Sequence, residues 1–389
     1  MQRSESRILT THAGSLPRPD ELLPLIRDKA QGNAVDEAAF AAAVERAVGD
    51  AVRRQCEAGI DVVGDGEQGR VGFIPYVNER LAGIAPSPTV ESANYWGLSR
   101  EYRAFPQFYA WAAAMPGTAG QTGRTRWVCT GPVSYKGHAA LARDIATLKA
   151  ALAGRPHVEA FMPAVSPSNL ANWNRNEHYS REEDYLVALA EALREEYKAI
   201  VDAGLVLQID DPLLASYYVM HPEASVEDCR KWAAGRVDIL NHALRGLPPE
   251  RIRYHTCYSI NIGPRVHDME LRHIVDVMLR INAGAYSFEA ANPRHEHEWQ
   301  VWEGVRLPPG KSLIPGVITH SSNIVEHPET IAQRIARFAG AVGRENVIAG
   351  ADCGFASFAS TCEVHPSVVW VKLAALAEGA RLATAALWR

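Results

Sequence analysis

Residues 182–210 of the chain read EEDYLVALAEALREEYKAIVDAGLVLQID. Leu186, Leu189 and Leu193 recur there at intervals of three and four residues, the spacing of the apolar face of an amphipathic helix. Gly204 interrupts this pattern, and a short apolar run follows that ends at Asp210. A helix followed directly by a buried strand is the repeating unit of a parallel α/β sheet.

The same alternation runs through the whole chain. Predicted strands cover residues 8–15, 60–64, 158–165, 205–210, 252–257, 285–289, 314–320 and 347–353. Amphipathic segments rich in Ala, Leu and Glu separate them. Eight such units are typical of a closed barrel. An open doubly wound sheet would be expected to have a Gly-rich phosphate turn after its first strand, and none occurs here. We therefore predict an α/β fold, a single (β/α)8 TIM barrel domain over residues 1–389.

One long gap interrupts the alternation. The second predicted strand ends at residue 64 and the third begins at residue 158, which is far more than a barrel crossover needs. We predict an inserted accessory subdomain at residues 75–150. It contains an aromatic cluster of Tyr95, Trp96, Tyr102, Phe105, Phe108, Tyr109 and Trp111. An accessory or oligomer-contact role is favoured, and a substrate lid is the alternative.

Composition excludes several classes of protein. The 389 residues include 40 basic and 45 acidic side chains, giving a formal net charge of -5, and no Lys/Arg block occurs. Nucleic acid is therefore not an expected partner. The N-terminal residues lack an apolar signal region, and no apolar run reaches the roughly 18 residues of a membrane span. We expect a cytoplasmic protein that acts on small molecules and has no membrane partner. It could form a homo-oligomer.

Polar and ionisable side chains concentrate at the carboxyl ends of the predicted strands. Active sites of TIM barrels lie at this end, and burying so many unpaired charges elsewhere would cost several kcal/mol each. We expect these side chains to face one cavity. They are Ser15, Asp65, Glu67, Asp210, Asp211, His255, Thr256, Cys257, Glu289, His320, Asp352 and Cys353.

Four of these residues form a set of zinc ligands. His255 and Cys257 are two residues apart on one strand, so their side chains point to the same face. Glu289 and Cys353, at the ends of later strands, complete two thiolates, one imidazole and one carboxylate, a tetrahedral set for Zn²⁺. Because the site would lie at the catalytic face, the weakly bound carboxylate could be replaced by an incoming thiol.

The remaining cysteines and one histidine pair have other interpretations. Sparse cysteines exclude a disulfide framework. Free cysteines inside helices or strands are usually packing residues, which is our interpretation of Cys56, Cys129 and Cys229, whereas Cys362 stays open. His295 and His297 alternate with glutamates; they could bind a metal, but a solvated turn is favoured.

Seven motifs occur in the order found in one enzyme family. They are THAGSLPRP at 11–19, GDGE at 64–67, QIDDP at 208–212, HTCY at 255–258, SFE at 287–289, PGVITH at 315–320 and GADCG at 350–354. Together they resemble the C-terminal catalytic domain of cobalamin-independent methionine synthase, over nearly the whole chain. The resemblance implies a (β/α)8 barrel whose zinc is bound by His255, Cys257, Glu289 and Cys353. It also implies that Ser15, Glu67 and Asp210 bind homocysteine, and that His320 protonates the departing group.

The chemistry of these residues agrees with the resemblance. A thiol bound to Zn²⁺ is deprotonated yet nucleophilic, and a methyl donor reacts only when its leaving atom gains a proton, here from His320. Glu67 and Asp210 would offer anionic partners to the ammonium group of homocysteine. The alternative for these two carboxylates is that they cap the following helices.

The chain departs from the full-length synthase in two respects. It has no room for the N-terminal barrel that helps to bind folate, and residues 166–174 do not reproduce the pterin-binding segment. The methyl donor could thus be folate, a methylcorrinoid or another carrier. We predict zinc-dependent methyl transfer to a thiol with homocysteine as acceptor. The alternatives are a thiol addition like that of the related epoxyalkane:coenzyme M transferases and a non-catalytic barrel with structural zinc.

Overall fold

The computed structural model describes residues 1–87, 96–113, 126–258, 263–359 and 364–389. The strands within these ranges are β1 (Leu9–Thr10), β2 (Val62–Gly64), β3 (Leu81–Ser87), β4 (Arg126–Tyr135), β5 (Glu159–Val165), β6 (Arg175–Asn176), β7 (Val206–Asp210), β8 (Ile252–His255), β9 (Ala285–Phe288), β10 (Ser312–Ile318) and β11 (Ile348–Ala351). The α-helices are α1 (Leu22–Ala30), α2 (Glu37–Glu57), α3 (Arg100–Ala104), α4 (Pro106–Ala113), α5 (His138–Leu152), α6 (Pro167–Trp173), α7 (Glu182–Asp202), α8 (Leu213–Met220), α9 (Val226–Leu244), α10 (Val275–Met278), α11 (Val301–Gly304), α12 (Pro328–Val342) and α13 (Pro366–Leu387).

Eight parallel strands form the central sheet, in the order β1-β11-β10-β9-β8-β7-β5-β2. A parallel bridge between Thr11 and Val62 joins its two edges, so that the sheet is nearly closed. These strands coincide with the eight predicted segments, although most are shorter than predicted. The predicted (β/α)8 barrel is confirmed.

The barrel interior contains a polar layer within its apolar packing. Helices cover the outside of a parallel barrel, so strands such as β7 and β10 are buried along their whole length. Inside, the guanidinium of Arg253 donates to Gln208 Oε1 at 2.7 Å, to Thr11 Oγ1 at 2.8 Å and to the carbonyl of His12 at 2.8 Å. It also lies 3.4 Å above the ring of Phe161. Three hydrogen bonds and this cation–π contact allow a fully buried charge in the core.

The helices begin where the sequence supplies caps. Asp36 accepts hydrogen bonds from the backbone N–H groups of Ala38 and Ala39 at the start of α2. Ser225 and Asp228 form a reciprocal capping box at the start of α9. Such caps satisfy backbone donors that have no partner within the helix. In the part of the chain that the structure describes, no helix is both long and apolar enough to cross a membrane.

Two strands from the segment between β2 and β5, together with β6, form a small sheet beside the barrel. Strands β3 and β4 pair antiparallel, and β6 joins β4 in parallel. The hydroxyl groups of Tyr76 and Tyr135 both donate to Glu196 of α7, at 2.7 and 2.8 Å. These buried bonds fasten the inserted subdomain to the barrel. Its proposed role as an oligomer contact or a lid stays a prediction, and Tyr95 of the aromatic cluster lies outside the described residues.

Candidate metal and thiol site

Three predicted zinc ligands meet at the carboxyl ends of β8 and β11. The potential ligand atoms of His255, Cys257 and Cys353 all lie within 4.8 Å of one another, and all three residues are buried. The two sulfur atoms are 3.2 Å apart. His255 Nδ1 lies 3.0 Å from Ser287 Oγ of β9, a contact that fixes the ring and leaves Nε2 for a metal.

The electrostatics of this group suit a cation. Burial, with smaller contributions from Arg253 and His320, lowers the pKa of His255 to about 3, so its imidazole is neutral as a metal ligand must be. The neighbouring Cys257 thiol and burial raise the pKa of Cys353 well above its ordinary value. A bound divalent cation reverses this effect by stabilising the thiolates. The group is therefore compatible with zinc.

Glu289 is not part of the three-residue group in the described structure. Its Oε1 accepts a hydrogen bond from the backbone N–H of Tyr258 at 2.7 Å. Its Oε2 accepts from Arg265 Nη1 at 2.8 Å and from Asn292 Nδ2 at 2.7 Å. The carboxylate thus lies in a buried cage of donors next to Cys257. Its role as the fourth metal ligand stays a prediction.

Asp352 ties the end of β11 to the loop that follows β9. Its carboxylate accepts from the backbone N–H groups of Ala290, Ala291 and Asn292 at 2.8, 2.8 and 2.9 Å. A Cβ atom at Gly316 of β10 would lie 2.0 Å from Asp352 Oδ1, so the glycine makes room for this contact. These three hydrogen bonds fix the backbone of the residues that follow Glu289. They also hold Asp352, the residue before Cys353, in place.

Glu67 and Asp210 form an acidic pair beside this group. Burial raises the pKa of Glu67 to about 7, although Arg70 and Arg18 oppose the shift. Burial and then the nearby Glu67 charge raise the pKa of Asp210 well above its ordinary value. Glu67 Oε2 is buried and has no hydrogen-bond partner among the described residues. Helix capping does not account for either residue, because α8 begins after Pro212 without a side-chain cap and Glu67 precedes no helix directly.

Ser15 lies against the loop that carries Cys353. Its carbonyl accepts from the backbone N–H of Phe355 at 3.0 Å, and a Cβ atom at Gly354 would lie 2.0 Å from Ser15 Oγ. The preceding Gly14 has a φ of 127° and packs against Glu67, whose Oε1 would be 2.9 Å from a Cβ atom there. Gln208 joins the acidic pair to the same turn, since its Nε2 donates to the Ala13 carbonyl at 2.7 Å and to Asp210 at 2.6 Å. The structure therefore places Ser15, Glu67 and Asp210 around the same turn, and their role in binding homocysteine stays a prediction.

His320 follows β10 and is completely buried. Neither of its ring nitrogens has a hydrogen-bond partner in the described part of the chain. Burial lowers its pKa to about 4, although the charge of Asp352 raises it. This surrounding keeps the imidazole in its neutral form at pH 7. Its role in proton transfer stays a prediction.

Sequence reasoning missed the buried ionic network behind Glu289. Arg265 Nε donates to Asp268 at 2.8 Å, and the same Asp268 oxygen lies 3.1 Å from His295 Nε2. His295 Nδ1 lies 2.8 Å from Glu298, and these two carboxylates help to raise the pKa of His295 to about 9 despite its burial. The solvated-turn prediction is therefore wrong for His295. The only signal was the i, i+3 spacing of His295 and Glu298, which places both side chains on one face of a 3-10 turn.

The other cysteines lie apart from the metal group. Cys129 and Cys229 are buried in the apolar core and Cys56 packs against it, in agreement with a packing role. Cys362 lies outside the described residues. His297, unlike His295, is exposed, and His295 already has both ring nitrogens paired. The arrangement does not favour a metal site at this pair.

Comparison with known proteins connects this geometry to one family. A family model described as "Cobalamin-independent synthase, Catalytic domain" matches residues 8–103 and 128–375. The methionine synthase of Sulfolobus acidocaldarius is 26% identical over 346 residues, covering 89% of this chain and 85% of that protein. The methionine synthase of Thermococcus kodakarensis is 24% identical over 351 residues, covering 89% and 86%.

Solved structures show the same fold. A B12-independent methionine synthase from a Shewanella species, in complex with selenomethionine, superposes with a TM-score of 0.74 at 21% identity, covering 98% of this chain and 99% of that one. A putative vitamin-B12 independent methionine synthase from Listeria monocytogenes gives a TM-score of 0.65 at 19% identity, covering 96% and 98%.

Proposed function

Because the chain belongs to the family of cobalamin-independent synthase catalytic domains, we propose that it transfers a methyl group to the thiol of homocysteine. Zinc, bound by His255, Cys257, Cys353 and Glu289, is the proposed cofactor. The observation that carries this proposal is the buried group of two thiols and one imidazole at the catalytic end of the barrel. Several of the synthases matched above span most of this chain's length, which supports the same activity for it.

The donor set fits Zn²⁺ in type and in surroundings. Two thiols and an imidazole are the ligands that zinc prefers, and a cation would favour ionisation of the buried Cys353 thiol, whose pKa is raised by Cys257 and by burial. When bound, Zn²⁺ would lower the pKa of a substrate thiol and so supply the nucleophilic thiolate at neutral pH. The protein's own residues must then orient the substrate and move the proton.

The acidic pair is suited to bind the ammonium group of the amino acid. A positive charge between Glu67 and Asp210 would relieve their repulsion and replace the proton that the pair holds near neutrality. Ser15, packed against Gly354, would then lie between the amino acid and the thiol ligands. This arrangement orients the substrate sulfur toward Cys257 and Cys353.

His320 is proposed to handle the proton at the donor's leaving atom. A fully buried imidazole with two unpartnered nitrogens is costly, and such groups concentrate where a reaction uses them. Its neutral form can accept a proton as the substrate thiol ionises and deliver it to the leaving atom. Exclusion of water from this region favours that transfer over loss of the proton to solvent.

One set of assays tests the proposed function. Zinc-loaded protein would be given homocysteine with methyltetrahydrofolate or with methylcobalamin, and methionine formation would be measured. In parallel it would be given coenzyme M with an epoxide. Methionine formation with either donor supports the proposal and identifies the donor. Consumption of coenzyme M with the epoxide, but no methionine, would establish the alternative function, thiol addition to an epoxide. In that case the unpartnered Nε and Nη2 atoms of buried Arg70 could bind the sulfonate of coenzyme M.

A further inference from the structure

Arg265 has an unusual backbone conformation next to the candidate metal group. Its φ angle is 57°, in the left-handed region that residues with a Cβ rarely adopt, and its side chain is buried. Such backbone strain persists only where the surroundings impose it, and it is found mostly at functional sites. The contacts of Arg265 show what imposes it here.

The inserted subdomain holds the backbone of this turn. Glu101 of α3 is completely buried, and its two carboxylate oxygens accept from the backbone N–H groups of Arg265 at 3.1 Å and His267 at 2.8 Å. These contacts join residues 164 and 166 positions apart in the chain. The position of α3 therefore fixes where the Arg265 side chain begins.

The guanidinium of Arg265 is divided between two carboxylates. Nε donates to Asp268 at 2.8 Å, which His295 holds from its other side, and Nη1 donates to Glu289 at 2.8 Å. The third nitrogen, Nη2, is buried and has no hydrogen-bond partner among the described residues. One donor nitrogen of the Arg265 guanidinium is thus available to the Glu289 carboxylate if that carboxylate moves closer.

We propose that Arg265 is a positioning residue that shares the Glu289 carboxylate with the metal and takes it over when the thiol substrate binds. This inference rests on the proposed function. Two thiolates and Glu289 together carry three negative charges around a divalent cation, and a third thiolate would add a fourth. Transfer of Glu289 to Arg265 keeps the ligand charge constant and leaves no buried carboxylate unpaired. Glu101 makes this exchange depend on the inserted subdomain.

The test uses protein loaded with Co²⁺, whose absorption bands report how many sulfur ligands are bound. Arg265→Gln should bind the metal at least as tightly as the wild type when no thiol is present, because Glu289 loses its competing partner. Its affinity for homocysteine should fall by roughly tenfold or more, since the displaced carboxylate has no charged partner. Arg265→Lys should recover part of the affinity for homocysteine. Glu101→Gln should lower that affinity, as Arg265→Gln does. Arg280→Gln, which breaks an exposed ion pair with Asp238, is the control and should change neither quantity.

A double-mutant cycle separates positioning from loss of structure. In a Glu289→Gln background, Arg265→Gln should have no further effect on thiol affinity, because the shared carboxylate is gone. Equal thiol affinity in wild type and Arg265→Gln would overturn the inference, as would parallel losses of metal affinity, thiol affinity and melting temperature. Failure of wild-type protein to bind Co²⁺ or Zn²⁺ would instead remove the proposed function itself.

Discussion

The sulfur atoms of Cys257 and Cys353 lie 3.2 Å apart although 96 residues separate them in the chain. Two thiolates on one tetrahedral zinc ion, with Zn–S bonds of about 2.3 Å, are roughly 3.8 Å apart. The fold therefore brings the two sulfurs close to the spacing that a shared metal requires. Ser287 of β9, one of the two strands between β8 and β11, orients the third member of the group, His255.

The first prediction concerns metal content. Purified wild-type protein should contain about one zinc ion per chain, and a Cys257→Ser, Cys353→Ser double variant should lose it because serine is a poor zinc ligand. Plasma emission spectrometry measures the metal. Cys56→Ser changes a half-buried cysteine outside the group and should retain full zinc. Full zinc in the double variant would contradict the site.

The second prediction concerns the acidic pair and pH. Because the pKa of Glu67 is raised to about 7, its carboxylate ionises only above that pH, and the KM for homocysteine should fall as the pH rises from about 6 to 8. Glu67→Gln should raise the KM by roughly 10- to 100-fold at pH 8. A homocysteine analogue without the amino group is the control, and its KM should not follow this pH dependence.

Stability should follow the opposite trend at the same residue. The native pKa of Glu67 lies above its ordinary 4.5, so the folded state binds more protons than the unfolded state between those values, and the free energy of unfolding falls as the pH rises from 4.5 to 7. Between pH 5 and pH 8, the free energy of unfolding should fall by about 2–3 kcal/mol less in Glu67→Gln than in the wild type, as measured by urea denaturation. An unchanged pH dependence would show that Glu67 is ionised in the native protein.

The third prediction separates catalysis from metal binding. His320→Ala should reduce kcat by roughly 10²- to 10⁴-fold, the usual contribution of a positioned proton donor, while zinc content and thiol affinity stay near the wild-type values. Steady-state kinetics and metal analysis together make the distinction. If His320→Ala had no effect on any alkyl transfer and removal of zinc unfolded the protein, the site would be a structural zinc site in a non-catalytic barrel.

The fourth prediction concerns the buried network of His295. Its pKa is raised from 6.5 to about 9, so its stabilising effect is complete below pH 6.5 and is lost as the pH rises through 9. His295→Gln should cost about 3 kcal/mol at pH 6 and much less at pH 10, measured by urea denaturation. His297→Gln, on the exposed side of the same turn, should have almost no effect at either pH.

The fifth prediction concerns the space that Gly316 leaves for Asp352. A Cβ atom there would lie 2.0 Å from the Asp352 carboxylate and 2.7 Å from its backbone. Gly316→Ala should therefore lower the free energy of unfolding by about 1–3 kcal/mol or more and weaken metal binding at the adjacent Cys353. Gly340→Ala in α12, where nothing lies within 4 Å of the new atom, should be neutral or slightly stabilising. Equal melting temperatures for the two variants would contradict this account.

The barrel and much of its site could be predicted because both follow from local patterns. The predicted strand that becomes β8 reaches His255, and parallel strands place all their carboxyl ends on one side. Cys257 and Cys353 therefore had to approach each other once the eight-strand pattern was recognised. Each cysteine lies only two residues beyond the end of its strand, so little of the loop path had to be known.

Residues whose roles depend on loops could not be predicted. The left-handed φ angle of Arg265 has no signal in a non-glycine residue, and its contact with Glu101 spans 164 positions. His295 looks exposed among glutamates until Asp268, 27 residues earlier, is seen to pair with it. The lowered pKa of His320 likewise reflects burial by distant parts of the chain, which no local pattern reports.

The pairing of β1 with β11 has a consequence for biosynthesis. The first strand pairs with the last, and the last strand carries Cys353 at its end. A nascent chain that folds from its N-terminus as it leaves the ribosome cannot complete the thiol pair until β11 has been synthesised. Completion of the metal group must therefore be a late event, and any translation product that stops before β11 would contain His255 and Cys257 but lack Cys353.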